Sequence, residues 1–100
     1  MREVFSYPKG KSVIIFGGHE AWIKEMKRRI KGVEIVKEDG PNGTERLKYA
    51  DEIWVQYNAI SHSFYRKILA VSRERKIPLH YFAFSSHIKC AQQFIRENGK

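Results

Sequence analysis

One cysteine, three prolines and no long apolar run mark this chain of 100 residues. The single cysteine, Cys90, excludes an internal disulfide framework and fits a reducing compartment. No stretch approaches the roughly 18 apolar residues of a membrane span. The start, Met1-Arg2-Glu3-Val4-Phe5-Ser6-Tyr7-Pro8, lacks the apolar region of a signal peptide. A cytoplasmic protein with no membrane partner is therefore expected. Several compact catalytic and binding elements are also missing. There is no G-x-G-x-x-G, no Walker loop, no C-x-x-C, no H-x-x-x-H and no G-x-S-x-G. No carboxylate pair is spaced for acid–base work, so a non-enzymatic role is expected.

What is present is an apolar fraction of 42%, enough for a packed interior, and a formal charge of +8. That charge favours anionic partners, either a phosphate-bearing small molecule or nucleic acid. The cations cluster at helix ends, with Lys27, Arg28, Arg29 and Lys31 on one and Arg73, Arg75 and Lys76 on another. Cations in a last turn favour the helix dipole, so solvated helix ends compete with a nucleic-acid patch as their explanation.

The chain reads as an N-terminal arm over residues 1–11 and a single α/β domain over 12–98. Val4, Phe5 and Tyr7 of the arm are candidates to dock on the body. Four strand–helix units follow. Val13 to Phe16 is a continuous apolar run, as in a strand buried on both faces. The spacing of Trp22, Ile23, Met26 and Ile30 predicts a helix from about Glu20 to Lys31, capped by Gly32. A short second strand covers Val33 to Val36, and Thr44 is placed to cap a short helix through Tyr49. Strands are expected from about Glu52 to Tyr57 and after Pro78. Helices are expected from Ser61 or Ser63 to about Arg75, and after Ser85 or Ser86. The inner face of that last helix is predicted to be Ile88, Ala91, Phe94 and Ile95. Such alternation specifies a four-stranded parallel sheet, here in the order 2-1-3-4, within a Rossmann-like three-layer α/β/α unit.

In that arrangement the carboxyl ends of the strands form the ligand crevice. Three of the four histidines fall there, in Gly17-Gly18-His19, Ser61-His62-Ser63 and Ser85-Ser86-His87. Two glycines let a backbone approach a ligand, and the following helix start offers free N–H groups to an anion. Glu38 and Asp39, about 20 residues on, fall where a ribose-binding acid sits. Each serine alone is explained as a helix N-cap. A cap needs no histidine beside it, yet all three turns carry one. The expected ligand-binding set is Gly17, Gly18, His19, Ser61, His62, Ser63, Ser85 and Ser86, holding a nucleotide or phosphate. A haem or metal would instead take His19, His62, His87 and Cys90. His80 is expected to be packed or edge-exposed. Cys90 alone reads as a small buried residue. The aromatic fourth strand is an expected sheet edge, and pairing there makes a homodimer the expected state.

Several of these features occur together in a known family. Gly17-Gly18-His19 after the first strand, Asp39-Gly40, Ala50-Asp51, Ser61-His62 and Ile77-Pro78-Leu79 before a serine-rich turn resemble the bacterial domain of unknown function 2325 family. The resemblance covers about Lys11 to Ile95. It implies a compact Rossmann-like α/β unit and assigns no catalytic residue. His87-Ile88-Lys89-Cys90 departs from the small apolar stretch expected there.

Overall fold

A computed structural model describes residues 5–7, 11–37, 47–56, 59–83 and 86–98. The chain is α/β. Its strands are β1 (Phe5–Ser6), β2 (Val13–Gly17), β3 (Ile30–Lys31), β4 (Glu34–Lys37), β5 (Glu52–Val55) and β6 (Leu79–Tyr81). Its helices are α1 (Glu20–Arg29), α2 (His62–Arg75) and α3 (His87–Asn98). The main sheet runs β4-β2-β5-β6, all parallel. Ile15 of β2 lies opposite Ile35 on one side and Trp54 on the other, and Trp54 lies opposite His80.

Side chains alternate across a strand, so β2 feeds two cores. Val13 and Ile15 pack with Trp54 against Trp22, Ile23 and Met26 of α1 and Cys90, Ala91 and Phe94 of α3. Ile14 and Phe16 pack with Ile53 and Val55 against Leu47 and against Phe64 and Ile68 of α2. Every residue of β2 is buried, which explains why its sequence is unbroken apolar rather than alternating. Phe94, with no exposed surface, contributes about 1.5–3 kcal/mol by its burial.

The arm docks. β1 pairs in parallel with β3, and Tyr7 N donates to Lys31 O at 2.9 Å. The Phe5 and Tyr7 rings lie 6.3 and 6.0 Å from that of Phe94. This pairing shortens α1 relative to expectation. The helix stops at Arg29, because Ile30 adopts extended angles and bonds the arm. Gly32, with φ +86°, then turns the chain from β3 into β4 instead of capping the helix. The last helix is also rotated from its expected face: Cys90, Ala91 and Phe94 are buried, Ile95 is half-buried and Ile88 is 47% exposed. The short helix expected from Thr44 lies outside the described residues as far as Arg46.

β6 is an edge strand, but its outer backbone is engaged at the carboxyl end. Gln93 Nε2 donates to Tyr81 O at 3.0 Å, and Ala83 N donates to Gln93 Oε1 at 2.9 Å. One carboxamide thus supplies the donor and acceptor that a neighbouring strand would present. Among the described residues, no helix is long and apolar enough to cross a membrane.

Candidate functional site

The turn after β2 and the turn after β5 meet. A β-carbon added to Gly18 would stand 1.8 Å from Ala59 O and 2.7 Å from Ala59 C. At Gly17 it would stand 2.5 Å from the Trp22 ring and 3.3 Å from Gln56 Oε1. Both glycines are thus required by contacts within the protein. The space left by Gly18 holds the backbone of the neighbouring turn.

Beside this junction, a cleft of about 390 Å³ opens between α1 and α3. His19, Trp22 and Glu25 line it from the β2 side, Gln56 and Ala59 from β5, and Ser86 and His87 from α3. Each is positioned by a local rule. His19 is the N-cap of α1, in extended conformation, and among the described residues no side chain caps that helix. The first N–H groups of α1 therefore lack a side-chain acceptor, as an anion site requires. Glu20 occupies the same first turn, where a carboxylate favours the dipole, and lies 3.5 Å from Lys37. Ser86 Oγ accepts from Ile88 N at 3.2 Å and so begins α3. Ala21 and Glu25 share a helical face by four-residue spacing, which brings the Glu25 carboxylate to the wall. It is 4.0 Å from His87 Nε2, 3.2 Å from the Arg28 guanidinium and 3.9 Å from that of Arg29. Gln56, 4% exposed, ends the apolar strand run and bonds Phe16 O through its own N–H at 2.9 Å.

The expected site residues are distributed unequally. His19, Ser86 and His87 share this cleft, and Gly17 and Gly18 form its junction. Ser61, His62 and Ser63 stand exposed at the start of α2 and do not line it. Ser61 Oγ accepts from Phe64 N at 3.2 Å, an N-cap, with Ser63 Oγ 3.5 Å away. Ser85, Glu38 and Asp39 lie outside the described residues. Cys90, on the inner face of α3, is fully buried, and burial pushes its thiol pKa up, with the neighbouring Trp22 indole working against that rise. Among the described residues, no group of three or more His, Cys, Asp or Glu is placed to hold a metal ion. Sequence reasoning missed Glu25 and Gln56. A carboxylate one helical turn beyond Ala21, and a polar residue closing a buried strand, were the available signals.

Comparison with protein-family models, with curated proteins and with solved structures finds no match.

A second polar cluster lies at the opposite, amino end of the sheet. Trp54 Nε1 donates to Glu52 Oε2 at 2.6 Å, and His80 Nε2 lies 3.3 Å from the same oxygen. The His80 ring stacks on Trp54 at 4.7 Å, so this histidine is both packed and partly exposed. Nearby, the Tyr7 phenol is pushed up in pKa by burial first, then by the charges of Glu52 and Asp51. Asp51 Oδ2 accepts from Ser12 N at 2.8 Å, which ties the start of β5 to that of β2.

Proposed function

We propose that the chain is a non-enzymatic binding module for a small phosphate-bearing molecule, with a nucleotide as the best fit. The observation that carries this reading is the cleft wall itself: two imidazoles and a serine hydroxyl beside a helix start without a side-chain cap. Imidazole N–H and hydroxyl groups donate to phosphate oxygens. Glu25 and Gln56 add acceptors suited to a ribose hydroxyl or an amino group, and the Trp22 ring adds apolar surface. A volume of about 390 Å³ is near the lower end of ligand pockets, which favours a mononucleotide over a dinucleotide. The reading includes the strand order 2-1-3-4 expected from the strand–helix alternation and a Rossmann-like unit, as the resemblance to the bacterial family implies.

Thermal denaturation with inorganic phosphate, a nucleoside monophosphate and a nucleoside diphosphate tests it. A ligand at a hundredfold excess over its Kd adds about 2.7 kcal/mol, a Tm rise of about 10–20 °C for a domain of this size. His19→Ala with His87→Ala reduces the rise, and His62→Ala leaves it. No shift with any of these ligands, or an undiminished shift in the double variant, refutes the proposal.

A further inference from the structure

Outside the cleft, the outer face of α2 carries a cluster of exposed cations among the described residues. Helical spacing sets His62, Ser63, Arg66, Lys67 and Arg73 together, opposite the buried Phe64, Ile68 and Ser72. All five are exposed. Among the described residues, no ion pair or hydrogen bond engages Arg66, Lys67 or Arg73. The only carboxylate on α2 is Glu74, which shares this face seven residues beyond Lys67 and leaves the three cations in excess. α1 differs, because its Arg28 and Arg29 are held by Glu25 and its Glu20 meets Lys37.

We propose that this face of α2 binds the phosphate backbone of nucleic acid. Arg66 and Arg73 are seven residues apart, about 10.5 Å along the axis, and a duplex strand carries a phosphate about every 3.4 Å. The stripe therefore spans several phosphates. Guanidinium forks suit phosphate oxygens, and the exposed Ser63 hydroxyl adds a neutral donor. The face is unsuited to the other anionic partners. The exposed large apolar side chains among the described residues are Tyr49, Tyr81 and Ile88, none of them on α2. A membrane surface calls for apolar insertion beside its cations, and a protein interface for an aromatic or apolar centre. The overall charge of +8 matches a polyanion.

Fluorescence anisotropy of the whole chain with a labelled oligodeoxynucleotide, single-stranded and duplex, provides the test. Three phosphate contacts predict that raising salt from about 50 to 200 mM weakens binding about 20- to 40-fold. The variant Arg66→Ala, Lys67→Ala, Arg73→Ala lowers affinity at least about tenfold and flattens the salt dependence. The variant Lys24→Ala, Lys27→Ala, Lys31→Ala removes the same charge from the other side and retains most of the affinity. Binding to either oligonucleotide form with this pattern supports the proposal. It is overturned by no binding at low salt, by binding indifferent to salt, or by equal losses in the two variants. Equal affinity for vesicles containing phosphatidylserine, or for polyglutamate, overturns it too. The cleft reading is tested separately, since His19→Ala with His87→Ala leaves oligonucleotide binding unchanged.

Discussion

Gly18→Ala probes the junction on which the cleft rests. A methyl group there would lie 1.8 Å from Ala59 O, about half an ordinary contact distance. The obstacle is backbone, so no flexible side-chain end moves aside. Relief requires the turn after β2 or the turn after β5 to shift, and both are tied down. Gln56 N donates to Phe16 O at 2.9 Å, and Ala59 N donates to Gln56 O at 3.0 Å. Overpacking a well-filled interior costs about 1–3 kcal/mol, and a fixed backbone partner puts Gly18→Ala at about 3 kcal/mol or more. Stability of a domain this size is about 5–15 kcal/mol, so the loss is a large fraction of it. Urea denaturation should show the midpoint lowered by about 1–3 M, and a thermal scan should show Tm lowered by about 12 °C or more. A variant within about 0.5 kcal/mol of wild type refutes the contact between the turns. It would also remove the basis for placing His19 and Ala59 on one cleft.

Three further outcomes follow from particular residues. Lys76, the C-cap of α2, is the non-glycine residue with positive φ among those described, at 58°, so Lys76→Gly should stabilise by about 1 kcal/mol and raise Tm by about 4–8 °C; an unchanged or lowered Tm refutes this. Gln93→Ala frees Tyr81 O and Ala83 N at the sheet edge; it should cost about 1–3 kcal/mol and give a sedimentation coefficient that rises with concentration more than that of wild type, and two indistinguishable profiles count against edge protection. The raised Cys90 thiol pKa has a definite sign: its contribution to stability is fully present below the unfolded thiol pKa and is lost as pH rises through the folded value. Urea midpoints should therefore fall above about pH 9, and the thiol should resist a disulfide reagent until urea is added; rapid native reaction contradicts its burial.

The parts of the fold that local pattern determines were legible. Continuous apolar β2, the Trp22-Ile23-Met26 face of α1 and the Ser61 cap of α2 all follow from periodicity and capping chemistry. What escaped depends on partners distant in sequence. The end of α1 is decided by Phe5 opposite Ile30, a pairing that nothing near Ile30 announces. α3 turns Cys90 inward and Ile88 outward, although both apolar choices satisfy helical spacing. In the candidate site, strand ends and serine caps pointed to the edge of the sheet beside which the cleft opens. They did not distinguish His87, which lines the cleft, from His62, which stands outside it. That distinction depends on which helix crosses α1, and Glu25 enters the wall for the same reason.

The carboxamide of Gln93 also acts as a gauge. It fixes how far α3 reaches along the sheet, because its bonds end on backbone atoms at the last residue of β6 and two residues beyond it. Sliding the helix by a single turn, about 5.4 Å, would sever both at once. The imidazole of residue 87 rides on the same rigid rod, so its height above Glu25 is set by a bond made six residues further along the helix.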